Sequence, residues 1–220
     1  MARSFGVVDQ KVAESDFFLQ KISKCKFNIF ELRCYLSAFA ASSRSITFAL
    51  QSVLKGHDGF DLWYESHQTE LKNNKLARFF HNFRTVSQHV GGDPYGGGRS
   101  TQNGSVLHYF LPTTDLREVP DDGIHTSCEK YLVLLIQIIF ECYQKFGASI
   151  DAQQYFTADN FDELGKTIED AEEELGFPRG WTDIGDPESL SYRWQALRNT
   201  TSGTEINHLF KKYLNKEILY

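Results

Sequence analysis

Apolar residues recur along much of this chain at the three-to-four residue spacing of amphipathic helices. The clearest stripe is Leu32, Leu36, Phe39, Ile46, Leu50 and Val53. It predicts a helix over 29–54 that Gly56 closes. Ala38, Ala41, Ser42 and Ser45 add a small-residue face, shaped for close approach of a neighbouring helix. Ahead of it, Phe17, Phe18 and Ile22 predict a short first helix over 16–24, with Ser15 and Asp16 as its caps. Two more helices are expected behind it. One covers 60–72, with Leu62, Trp63 and Leu71 inward. The other covers 75–88, with Leu76, Phe79, Phe80, Phe83 and Val86 inward and Gly91 and Gly92 as its stop.

The pattern then changes. Residues 91–105 are rich in Gly, with Asp93, Pro94, Asn103 and two Ser among them, and read as a loop. Residues 106–111 alternate, which predicts a short strand forming a hairpin with that loop. The loop is not a phosphate-binding P-loop: Asp93 stands where the first glycine belongs, and a helix rather than a strand precedes it. Residues 126–146 are apolar nearly all round and predict a central buried helix closed by Gly147. The last third is more polar. It reads as an acidic helix over 160–175 capped by Asp159 or Asn160, a turn at 176–180, and short helices over 187–198 and 204–214. The expected fold class is all-α: a helical bundle of four to five core helices, a small β-hairpin-like excursion and extra C-terminal helices. The bundle would occupy 1–148, with an acidic helical extension over 149–220.

Composition adds an aromatic-heavy core, since 18 Phe and 10 Tyr occur in 220 residues. Cys25, Cys34, Cys128 and Cys142 lack metal-site spacing, and Cys34 and Cys142 fall in apolar helical patterns, so reduced thiols are expected. The first residues lack an apolar signal core, and the apolar run 131–140 is short for a bilayer span. A cytoplasmic protein that does not enter membranes is expected. The net charge of −6 is unevenly spread. Residues 157–190 hold eleven acidic residues against Lys166 and Arg179, a net of −9 that leaves +3 for the rest. Residues 71–100 are +4. The acidic stretch is a candidate surface for a protein partner, and the basic one for an anion.

The basic stretch contains Arg84 and, five residues on, His89. A permanent guanidinium beside an imidazole that titrates near neutrality can stabilise a phosphorane and move protons. Five positions on a helix span about 140° of rotation, so the two side chains converge only if His89 leaves the helix at its end. Arg44, Arg78, Lys75 and Thr85 are the candidate substrate-binding residues around this pair, and Arg33 shares a helix face with Arg44. His57, Asp58, Asp61 and His67 do not make a convincing metal cluster, so neither metal nor cofactor is expected. His81 and His125 stand alone in the sequence.

The segment from Glu31 to Phe48, followed by Arg78 to His89, resembles the HEPN-like helical domains of prokaryotic proteins. The resemblance covers about residues 14–146. It implies a helical bundle that forms a homodimer and cleaves RNA without metal, in a toxin or phage-defence setting. On that resemblance Arg84 and His89 would be catalytic. His89 would move the proton of a ribose 2′-hydroxyl or of the leaving 5′-oxygen, and Arg84 would hold charge on the phosphate. Thr85 departs from the family pattern, where Asn, Asp or His commonly follows the arginine. Some HEPN domains bind without cleaving. The alternative expectation is a non-catalytic helical protein for dimerisation or partner binding.

Overall fold

A computed structural model describes residues 5–90, 94–102, 104 and 106–220 of the protein. Gly91 and Gly92, expected to stop the fourth helix, lie outside those residues, as does Asp93. The described chain is mainly helical with one two-stranded antiparallel sheet. It divides into two compact units, Met1–Ile138 and Ile139–Tyr220.

In the first unit, α1 runs over Gly6–Lys24, ten residues longer than the pattern predicts. Val8, Val12, Ser15, Leu19 and Ile22 form its buried stripe. Ser15 and Asp16 are therefore interior positions and not caps. Ser15 Oγ lies 3.0 Å from Ser42 Oγ on α2 (Ile29–Leu54). A pair of small hydroxyls at the crossing lets the two backbones approach closely. α2 matches its expected bounds, and Asn28 caps it by accepting from the Glu31 N–H at 3.1 Å.

α3 (Phe60–Asn73) and α4 (Lys75–His89) meet at a one-residue corner. Asn74 ends the first by donating its N–H to the Glu70 carbonyl at 2.9 Å. It starts the second by accepting from the Ala77 N–H at 3.0 Å. Leu62, expected inward, is 79% exposed; Phe60 and Tyr64 take the buried face of α3 instead. The core between α2, α4 and α5 (Ile124–Ile150) is aromatic. Phe80 meets Phe39 edge-on at 5.8 Å and stacks on Tyr131 at 4.6 Å.

Strand β1 (Tyr95–Ser100) pairs antiparallel with β2 (Val106–Phe110), with an irregularity between Tyr95 and Gly97. The glycines of β1 are what let it lie as a strand: a Cβ at Gly97 or Gly98 would run into the Tyr109 or His108 ring. Phe110 packs edge-on against Phe79 of α4 at 4.9 Å. His108 is buried, with its ring nitrogens 3.3 Å from the Cys25 carbonyl and 3.3 Å from the Tyr95 hydroxyl. α5 passes through Gly147, the expected stop, and continues to Ile150; the glycine serves close packing instead, since the Gln154 side chain fills the space a Cβ there would need. By length and composition α5 can cross a membrane, and half of its most apolar window is buried. Cys25, Cys128 and Cys142 are buried and free; Cys34 is exposed, contrary to its apolar surroundings in the sequence.

The second unit begins within α5. The expected acidic helix is two helices, α7 (Ala158–Glu163) and α8 (Ile168–Glu174). Gly165 breaks them at a positive φ of 66°. Thr157 and Thr167 cap them, in place of Asp159 or Asn160. Phe156, Phe161, Ile168, Ala171, Trp194 and Leu197 form the core around which α6 (Ala152–Tyr155), α7, α8 and α9 (Leu190–Arg198) pack. α10 (Asn207–Leu214) adds Phe210, edge-on to Phe140 at 5.2 Å and to Tyr143 at 5.7 Å.

Candidate functional site

Three polar stripes converge in the first unit. On α2, Arg44, Thr47, Phe48 and Gln51 recur at helical spacing. On α3, Tyr64, Gln68 and Lys72 do the same, and on α4, Arg78, His81 and Asn82. Together with Tyr131 of α5 they line a cavity of about 530 Å³. That volume falls within the range of small-ligand sites. Among the described residues, no Asp or Glu lines it.

Both arginines are held in place by contacts that leave nitrogens open. Arg44 donates through Nη1 to Thr47 Oγ1 at 3.1 Å, and its guanidinium lies over the Phe48 ring at 4.4 Å. Arg78 donates through Nη1 to the Lys72 and Asn73 carbonyls at 3.1 and 3.0 Å. Those are the last carbonyls of α3, where a cation also meets the negative end of the helix dipole. The corner at Asn74 is thus what brings Lys72 and Arg78 to the same wall. Among the described residues, no carboxylate pairs with Arg44, Lys72, Arg78 or Arg84.

The neighbouring groups register this positive field. His81 is less basic than an ordinary histidine, through desolvation first and then the charges of Arg44 and Arg84. Burial pushes the Tyr131 phenol up to about 12, with Arg44 opposing. Burial likewise raises Tyr64, against the pull of Thr47, Arg44, Gln68 and Gln51. Gln51 Nε2 lies 3.3 Å from the Tyr64 hydroxyl. Near neutral pH the site therefore presents two fixed guanidinia, an ammonium, a neutral imidazole and two protonated phenols. Such a set can bind an oxyanion and donate hydrogen bonds to it.

Of the residues singled out from sequence, Arg44 and Arg78 come together here. Lys75 sits at the exposed start of α4 and Thr85 on its exposed side, where Thr85 Oγ1 donates to the His81 carbonyl at 3.2 Å. Neither lines the cavity. His89 is the last residue of α4, and the Val90 N–H still donates to the Val86 carbonyl at 2.9 Å. The helix therefore does not release His89. Arg84 and His89 stay about 140° apart on one helix and do not converge within one chain. Arg84 belongs instead with His81, whose imidazole feels its charge. His81, Tyr64, Gln51, Gln68 and Tyr131 escaped the sequence reading. The signal for His81 was present: it lies three residues from both Arg78 and Arg84, on a shared helix face. The others belong to helices whose meeting is a tertiary event. Among the described residues, no three His, Cys, Asp or Glu side chains gather as metal ligands. Comparison with known proteins finds no matching family model, no matching curated protein and no matching solved structure.

Proposed function

We propose that this protein is a HEPN-like helical bundle that binds RNA through its phosphates, at the cavity where Arg44, Lys72 and Arg78 meet. The observation that carries this reading is the cavity itself: three cations, two of them anchored with free nitrogens, and, among the described residues, no carboxylate in the wall. An uncompensated cluster of this kind is costly to assemble through self-repulsion and is relieved by an anion. Two anchored guanidinia suit the planar, forked recognition of phosphate oxygens. Phe48, half exposed beside Arg44, offers a face on which a base can stack.

Binding of this kind needs one chain; metal-free cleavage needs more. Because Arg84 and His89 diverge on α4, a cleaving form assembles its arginine and histidine from the two copies of a homodimer. The test is fluorescence anisotropy with a labelled single-stranded RNA, alongside gel analysis of the same RNA for cleavage. Arg44→Ala with Arg78→Ala is expected to weaken binding tenfold or more. In a cleaving form, Arg84→Ala or His89→Ala removes product while binding persists. RNA binding that is unchanged in the Arg44/Arg78 double variant defeats the proposal. The alternative reading, a non-catalytic partner-binding protein, draws its support from Phe27, Ile29 and Phe30, three exposed apolar side chains in the turn before α2 and at its start.

A further inference from the structure

The second unit carries a surface of a different kind. In the sequence, α8 looks like the acidic face of the molecule. In the structure each of its carboxylates is already engaged. Glu169 meets Arg193 at 3.0 Å, and Asp170 and Glu173 share Arg179 at 2.6 and 2.8 Å. Glu174 meets Lys166 at 2.6 Å and accepts from the Tyr155 hydroxyl at 2.8 Å. Glu172 is fully buried and accepts from the Gly180 N–H, from the Thr182 N–H at 2.8 Å and from the Thr182 hydroxyl at 2.5 Å. Arg193 stands 3.5 Å from it and also donates through Nε to Thr182 Oγ1 at 2.9 Å. The acidic helix is therefore the clamp of the loop that follows it, and its charges are spent inside the unit.

What the clamped loop displays is apolar. Trp181 is 64% exposed and stacks against Phe177 at 6.0 Å, and Ile184 is 76% exposed. Tyr192, on the adjoining turn of α9, is 72% exposed. Between them lie Asp183, Asp186 and Glu188, all exposed, and no described cation pairs with any of the three. Asp183 and Asp186 each use one oxygen to accept a nearby backbone N–H, at 2.8 and 3.0 Å. Large apolar side chains thus alternate with open carboxylates on a segment fixed from beneath by a buried one. A rigid, exposed tryptophan is the typical anchor of an interface, and a loop ordered before binding loses little entropy on binding.

We propose that residues 181–192 form a docking surface for a basic, amphipathic segment of a partner polypeptide. Charge complementarity selects that occupant. Nucleic acid and anionic lipid carry the sign of Asp183, Asp186 and Glu188 and are repelled. Lysines or arginines spaced between apolar residues meet the carboxylates while covering Trp181 and Ile184. This surface is independent of the cavity in the first unit, so either proposal can fail without the other.

The test uses the full-length protein and a fluorescent helical peptide of leucine and lysine in amphipathic order. A leucine–glutamate peptide of the same pattern is the control. The basic peptide is expected to bind, the acidic one not. Trp181→Ala with Ile184→Ser, and separately Asp183→Asn with Asp186→Asn and Glu188→Gln, should each weaken binding at least tenfold. The charge variant should also lose most of the salt dependence. Far-ultraviolet circular dichroism checks that both variants remain folded, as expected because Glu172 and its partners are untouched. Absence of binding overturns the proposal. So does binding that neither set of changes weakens, which would mark a general attraction of polycations. Self-association in sedimentation velocity that Trp181→Ala abolishes would also overturn it, by assigning the surface to a second copy of this chain.

Discussion

His81 shows how a single residue reports on its site. Desolvation and the charges of Arg44 and Arg84 hold its pKa below the ordinary histidine value of about 6.5. An oxyanion beside Arg44 cancels part of that field, so binding should raise the pKa and draw in a proton. NMR titration is expected to show the His81 ring titrating low in the free protein and moving up when inorganic phosphate is added. No movement would mean that phosphate does not sit beside it. The sign for stability follows from the same shift. With the folded pKa depressed, the unfolded chain binds the proton more readily. Stability therefore falls as pH drops from about 6.5 through the folded value, and His81→Gln should flatten that fall. Glu172 behaves as a depressed carboxylate: burial pushes its pKa up, but hydrogen bonds from Thr182, Gly180 and Arg193 outweigh burial. Its contribution is present above about pH 4.5 and is lost as pH falls through the folded value. Removing it as Glu172→Ala takes the acceptor from the Gly180 and Thr182 N–H groups, while Arg193 keeps Glu169; it should cost about 2–4 kcal/mol, read as a lower urea midpoint. Neither role was legible in the sequence. His81 stood within reach of Arg78 and Arg84 by spacing alone, but the third charge comes from α2. Glu172 was one of six residues in an acidic run, and nothing in that run distinguishes the one that turns inward.

At the level of elements, the sequence was most readable where one face stays apolar without interruption. α2 has its expected ends because its stripe is continuous and Asn28 supplies the cap. α1 runs ten residues further back than its pattern predicts because Asp9, Lys11 and Glu14 fall among the apolar positions of its first half and dilute the pattern. The glycine rule misled at Gly147, which marks close packing by Gln154, and Gly165, inside the expected helix over 160–175, is where the chain does turn and that helix divides. The hairpin was expected, but that its first arm is a regular strand was hidden by composition: the glycines of β1 suit a loop in isolation and a strand only once Tyr109 and His108 lie across them. The aromatic ladder Phe39–Phe80–Tyr131 joins α2, α4 and α5. Phe80→Ala should therefore destabilise the protein by about 3–5 kcal/mol, and denaturant unfolding would show it. It should weaken RNA binding as well, because Phe80 lies on α4 between Arg78 and His81. Loss of stability with binding intact would place the aromatic core outside the site's support.

For the whole molecule, the charge pattern was the most informative thing in the sequence and also the most misleading. The partition into −9 over 157–190 and +3 elsewhere is real. Yet the five carboxylates of α8 are held within the unit by Lys166, Arg179 and Arg193, whose three charges leave the segment strongly acidic, and Asp183, Asp186 and Glu188 lie open beyond α8. The positive side is the reverse. Its five cations are scattered through 71–100 in sequence, and only Lys72 and Arg78 among them join Arg44 at the cavity. Three cations on single-stranded RNA correspond to a slope of about −2 in log affinity against log salt. A slope near zero would remove phosphate contacts from the account, and one far steeper would mean that RNA runs well beyond the cavity.

The corner at Asn74 sets a limit on how this chain can vary. Most helical hairpins have a loop that absorbs an added or lost residue. Here one asparagine closes one helix and opens the next, so there is no slack. Adding a single residue turns α4 by about 100° relative to α3. That carries Arg78 off the end of α3, His81 off the cavity wall and Phe80 out of the core in one step. Substitutions around the cavity can be tolerated one at a time, but a change of length at residue 74 amounts to replacing all of them at once.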